Sequence, residues 1–297
     1  MATKSRRFII TDIIYIVMMV LPLVFGMIIN LLTKPASEGI SISGARIFFT
    51  IPMPIQDFPV TESQVNSALV MITILFLCLY LTHGLKEHIK LKRQHFAELI
   101  VEKVDGLVND NMGEFFKGYA PFIIAIMALS ALSSLCSLLG LYPPTSDINI
   151  VGGWAILVFI LITYYKLKGG LLNYLKGFTE PLFIMLPLNI LGEIGTPVSL
   201  AFRHYGNVLS GSVIGVLLTT ALGGLSSLLL GWLPGFLADI PLFRIGIPAV
   251  LSVYFDIFSG CMQAFIFAML TMLNVSGAFP MEEWQKRRHK KLSKNKK

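Results

Sequence analysis

A lone arginine stands in the most apolar part of this 297-residue chain. Between Pro181 and Leu233 the only formal charges are Glu193 and Arg203, and nothing from His204 to Ala238 carries a full charge. A guanidinium at bilayer depth costs about 3 kcal/mol on insertion scales and on the order of 10 kcal/mol in isolated-helix simulations. A chain that keeps one there holds it against a partner, a water-filled cavity, or both. The plain alternative is a helix-end arginine snorkelling to the headgroups. Its neighbours favour an ion or proton pathway. On a helix Ser199, Arg203 and Asn207 fall at i, i+4 and i+8, so one face carries a hydroxyl, a guanidinium and an amide. Gly206, Ser210, Gly211, Ser212 and Gly215 follow, and small residues let another helix approach closely in lipid.

A second polar set lies near the C-terminus. Asp256, Ser259, Gly260 and Gln263 sit at i, i+3, i+4 and i+7 of an otherwise apolar helix. Two readings stay open: Asp256 neutralises Arg203, or the Gln263 amide holds the guanidinium while Asp256 handles ions. Ser226 and Ser227, in the far half of the long apolar stretch, are expected to bond back to their own helix.

These residues have to be positioned inside a membrane. The chain is 55% hydrophobic and 14% charged, with mean hydropathy +0.73, against about a quarter charged in ordinary soluble domains. The net charge of +7 resides in short segments between apolar runs, the positive-inside pattern, so a nucleic-acid partner is not expected. Cys78, Cys136 and Cys261 lie far apart within apolar runs, with no CxxC or Cys/His spacing, which points to packing and not to a disulfide or metal site.

Candidate spans are 11–32, 66–85, 119–142, 151–166, 181–233 and 243–275. The division is a tail over 1–10, a first transmembrane helix over 11–32, a Pro-rich extracytoplasmic loop over 33–65, the remaining spans over 66–275 and a basic tail over 276–297. The loop 86–117 carries apolar Leu99, Val101, Val104 and Leu107, the spacing of a short amphipathic helix. If 181–233 crosses once, both termini share a side that holds 20 Lys and Arg, against Lys34, Arg46 and Arg244 on the other. A helix of that length runs about 80 Å at 1.5 Å per residue, far more than a core of about 30 Å. It must be strongly tilted or lie partly in the membrane plane. The fold class expected is therefore all-α polytopic, with about six helical segments.

The run Pro197-Val-Ser-Leu-Ala-Phe-Arg203-His-Tyr-Gly206-Asn207-Val-Leu-Ser-Gly211 resembles the signature segment of subunit a of F-type ATP synthases. Gln263-Ala-Phe-Ile-Phe-Ala-Met-Leu-Thr resembles that family's final-helix motif, and Pro144-Thr-Ser-Asp147-Ile-Asn149 its turn before a span. The resemblance covers roughly 66–275, which it implies to be an ion-channel domain. It implies that the last two helices are long, strongly tilted and packed against a rotating c-ring. Arg203 would face the ring and separate two aqueous half-channels. Ions, H+ or Na+, would enter from the outer side near Asp147, Asn149 and Asp256. They would leave past Ser199, Asn207 and Glu193, with Gly206, Ser210, Gly211 and Gly215 facing the ring. Two positions depart from the family pattern: Ser212 stands where many bacterial members carry an acid, and Asp256 where members often have His or Glu. The resemblance further implies no cofactor, no catalysis by this chain alone, a c-ring and a peripheral-stalk subunit b as partners, and a bacterial plasma membrane with both termini cytoplasmic. The alternative is a secondary ion-coupled transporter acting without a rotor, but the paired repeats and interrupted helices of that class are not found.

Overall fold

The computed structural model describes residues 2–33, 44–54, 56–85, 92–179, 182–230, 243, 246, 248, 250–251 and 253–281. The basic tail expected after Pro280 lies outside these residues except for Met281, as do Lys34 and Arg244. Among the described residues six helical segments are long and apolar enough to cross a membrane, and the architecture is all-α and polytopic. The first helix, α1 (Ala2–Thr33), begins earlier than expected, so residues 2–10 continue the helix instead of forming a separate tail.

The loop between α1 and α2 (Glu62–Thr82) contains a short antiparallel hairpin of β1 (Ile47–Ile51) and β2 (Phe58–Thr61). A buried charge clasp roots it. Arg46 donates from Nε to Glu62 Oε2 at 2.8 Å and from Nη2 to Glu62 Oε1 at 3.0 Å. The same guanidinium reaches Asn30 of α1, whose amide in turn donates to the Gly140 carbonyl. At the opposite end Asp12 of α1 pairs with Arg93 and His83, at 2.7 and 2.8 Å. The first helix is thus tied to the bundle at both ends, and Gly26 allows close approach midway: a Cβ there would meet Leu69 at 2.9 Å.

Helix α3 (Lys92–Met112) is amphipathic, but its buried stripe is Val104, Val108 and Met112. Leu99 and Val101, expected on that stripe, are exposed. The i, i+4, i+8 row fixes the face, and Leu99 and Val101 lie off it. Helices α4 (Ala120–Leu135) and α5 (Ile148–Lys168) follow, then short α6 (Leu171–Thr179) and α7 (Leu186–Leu230). The last span comprises a π-helical turn, Val253–Ser259, and α8 (Gly260–Gly277). Helix α7 is continuous over 45 residues, about 67 Å at 1.5 Å per residue, with no hairpin inside it. Pro197 is accommodated within it. Ser226 and Ser227 bond back to the carbonyls of Leu222 and Gly223, at 2.9 and 3.1 Å.

The main core is assembled from one stripe of each of five helices: Val104 and Val108 of α3, Ile123 and Ile126 of α4, Val151, Ala155, Val158 and Ile162 of α5, Leu200 and Ala201 of α7, and Phe267, Ala268 and Met272 of α8. Most remaining apolar side chains point outward, Leu188, Leu191, Phe202 and Leu217 of α7 among them. That is the pattern of helices solvated by lipid, where apolar exposure carries no penalty.

Candidate functional site

Arg203 is exposed on the outer face of α7 and, among the described residues, makes no hydrogen bond or ion pair. No such contact joins it to Asp256 or to Gln263. Its face is continued by exposed Ser199 and Ser210, and a Cβ added at Gly206 or Gly215 would meet no atom of the described residues within 4 Å. Gly211 is placed differently. It is buried under Phe255, which a Cβ would approach to 3.1 Å, so it packs α7 against the last span of its own chain.

Two cavities flank the arginine along α7. One, of about 240 Å³, is lined by Ser134 of α4, Ser137, Tyr142 and Ser146 of the α4–α5 connection, Asn207 and Ser212 of α7, and Asp256 and Gly260. The sequence places Asp256 and Ser212 more than 40 residues apart; the fold brings them to one wall. Asn207 and Ser259 exchange hydrogen bonds: the Asn207 amide donates to Ser259 Oγ at 2.7 Å, and the Ser259 hydroxyl donates back to Oδ1 at 3.1 Å. This cross-brace holds the polar rows of the two helices together. Ser212 donates to the Leu209 carbonyl at 2.8 Å, so its hydroxyl is tied to its own helix while lining the cavity. Asp256 lies in the π-helical turn; such turns occur often at functional sites because the wider winding re-aims side chains. Burial pushes the Tyr142 phenol above its ordinary range, with the negative charge of Asp147 adding, and it remains a neutral hydroxyl at the cavity wall.

Asp147 and Asn149, expected at the ion entry, are not among the residues lining this cavity and have structural work. Asp147 is the N-cap of α5, accepting from the Asn149 backbone N–H at 2.9 Å and from the Asn149 amide at 3.1 Å. Its other carboxylate oxygen accepts from Ser63 of α2.

The second cavity, of about 440 Å³, lies against the first turns of α7. Lys166, Asn173, Tyr174, Asn189, Glu193 and Thr196 supply its polar lining. Glu193 is the charged centre: its carboxylate accepts from Lys166 Nζ at 2.9 Å and from the Tyr174 hydroxyl at 3.1 Å. The Tyr174 phenol is pushed up by burial first and by the Glu193 carboxylate second, and so serves as a donor. Lys166 and Tyr174 were not singled out by sequence reasoning. They lie 27 and 19 residues from Glu193, and only the fold of α5 and α6 onto α7 pairs them with it.

Gln263 is nearly buried, and so is His204 beside the arginine. His204 shares a 3.3 Å hydrogen bond with Ser130 of α4 and stands edge-on to Trp154 of α5 and Phe267 of α8. Sequence reasoning quoted His204 only as part of a motif; its position between three helices had no sequence signal.

Fold and site together define a polytopic membrane protein of the ion-translocating kind, with one guanidinium on an apolar helix between two polar cavities. The chain belongs to the ATP synthase A chain family, whose sequence model matches residues 65–276. It is 27% identical over 275 residues to the sodium ion specific ATP synthase subunit a of Propionigenium modestum, covering 82% of this chain and 88% of that protein. It is 30% identical over 221 residues to ATP synthase subunit a 2 of a Bradyrhizobium species, covering 74% of this chain and 89% of that protein. Subunit a of Trichlorobacter lovleyi is 28% identical over 214 residues, covering 70% of this chain and 83% of its own length.

Proposed function

We propose that this chain is the stationary ion-channel subunit of a rotary ATP synthase, catalysing nothing alone and coupling ion flow to rotation of a c-ring. The observation that carries this reading is the placement of Arg203: exposed, without a partner among the described residues, and between the two cavities along α7. A guanidinium on the outside of an apolar helix requires a counter-charge from elsewhere, and a carboxylate of a passing ring supplies one. Because arginine stays charged, it attracts each deprotonated carboxylate without itself taking up the proton.

The Asp256 cavity is then the outer half-channel and the Glu193 cavity the inner one. An ion reaching Asp256 passes to a ring carboxylate, travels with the ring, and leaves by way of Glu193. The driving energy is about 2.3 kcal/mol per elementary charge for each 100 mV. The peripheral-stalk subunit b is a further expected partner, and the location is a bacterial plasma membrane with both termini cytoplasmic. The excess of Lys and Arg in the sequence segments 86–117, 166–176 and 276–297 supports that orientation, and Lys166 stands in the Glu193 cavity.

Arg203→Ala tests the reading. The expected result is an assembled complex that neither makes ATP from an ion gradient nor pumps ions on hydrolysis. Normal synthesis in an assembled Arg203→Ala complex would contradict it.

A further inference from the structure

Arg203 can separate two half-channels only along the surface that meets a ring. Inside the protein something else must keep the two cavities apart, and this inference rests on the half-channel reading above. Along α7 the nearest lining residues are Thr196 of the inner cavity and Asn207 of the outer. Eleven residues separate them, about 16 Å at 1.5 Å per residue. The inward-facing residues of that interval are Leu200, Ala201 and His204, with relative exposures of 4%, 6% and 0%. Ser130, Ala264 and Phe267 from α4 and α8 are equally buried, and Trp154 closes the α5 side.

We propose that these residues form a dry septum, centred on His204, that insulates the outer cavity from the inner one within the protein. His204 is suited to plugging and not to conducting. A proton relay through imidazole needs a partner on each ring nitrogen. Nε2 shares its bond with Ser130, while Nδ1 is buried with no hydrogen-bond partner among the described residues. The ring is wedged edge-on between Trp154, at 5.9 Å, and Phe267, at 5.6 Å. No charged side chain of α4, α5 or α8 contacts it among the described residues; the neighbouring ionisable groups are Arg203 and Tyr205 of its own helix. The Ser130 bond also fixes the rotation of α7, which keeps the neighbouring Arg203 turned outward.

The test uses the complete complex in sealed vesicles, with ring carboxylates blocked by a carbodiimide so that no ion crosses by rotation. His204→Ala and Phe267→Ala are expected to raise passive proton permeability severalfold despite the block. His204→Leu, which refills the space with an apolar group, is expected to stay tight and, unblocked, to pump on ATP hydrolysis. Tight membranes in both alanine variants, with assembly verified by co-purification, would overturn the septum. So would a His204→Leu complex that is tight but does not pump, because the imidazole would then belong to the ion path. A second readout avoids disturbing the histidine. With the three native cysteines replaced by serine, Ala201→Cys is expected to resist a small charged thiol reagent, while Ser212→Cys and Thr196→Cys react. Equal reactivity of all three would overturn the proposal. A parent complex that does not pump at all would instead refute the motor reading.

Discussion

Arg203 and Glu193 are the two charged residues of α7, and their surroundings differ in kind. Glu193 is settled within the protein by Lys166 and Tyr174, whereas Arg203 faces outward with no partner among the described residues. A charge already neutralised stabilises a resting structure; a charge left open selects a passing partner. Asp256 is placed by a cavity instead, which it lines together with Ser212 beside the Asn207–Ser259 brace. Asp256→Asn is predicted to slow ATP-driven ion transport severalfold by removing the ionisable oxygen while leaving the fold intact. Asp256→Glu is predicted to keep much of the rate. Equal transport in the wild type and both variants, measured in vesicles, would return Asp256 to a structural role. The ionisable residues themselves were legible in the sequence, because isolated charges in apolar runs stand out. Their partners were not: Lys166 read as one more positive charge at a span end, and His204 as a motif letter.

At the scale of elements, the long apolar stretch is one helix over Leu186–Leu230, and charge parity over the chain had already opposed a hairpin inside it. What periodicity could not supply was local winding. The reading of Asp256, Ser259, Gly260 and Gln263 as one α-helical face assumed 3.6 residues per turn, and the π-helical turn over Val253–Ser259 breaks that assumption. Small residues were equally ambiguous, since spacing does not say which side of a helix meets its own chain. The structure separates them, and the separation predicts opposite phenotypes. Gly211→Leu drives a side chain into Phe255 and is expected to destabilise the protein by about 1–3 kcal/mol, seen as a lower melting temperature. A Cβ at Gly206 meets nothing among the described residues, and Gly206→Leu is expected to leave the melting temperature unchanged while abolishing coupled transport. The same loss of stability in both variants would remove Gly206 from the partner-facing surface.

At the scale of the whole molecule, the first helix and the hairpin have a structural role that composition could not reveal. Residues 1–65 lie almost wholly before the family match, yet they are clasped to the rest through Arg46, Glu62, Asn30 and Gly140 at one end and Asp12, His83 and Arg93 at the other. The Glu62 side chain is only 5% exposed, so removing its cation strands a buried carboxylate. Arg46→Ala is predicted to cost about 3–5 kcal/mol of stability, observable by thermal melting of the purified protein, and Arg46→Lys to recover only part of it. An unchanged melting temperature would demote the clasp to a surface contact.

The account as a whole turns on what meets the open face of α7. Single cysteines at Gly206 and Ser210, one turn and two turns beyond Arg203, should be crosslinked in native membranes to single cysteines flanking the ring carboxylate. The account predicts that both positions crosslink, and that crosslinking stops ATP-driven pumping because it locks stator to rotor. A complex that assembles and pumps while neither position ever reaches the ring would contradict it, because Arg203 would then face lipid.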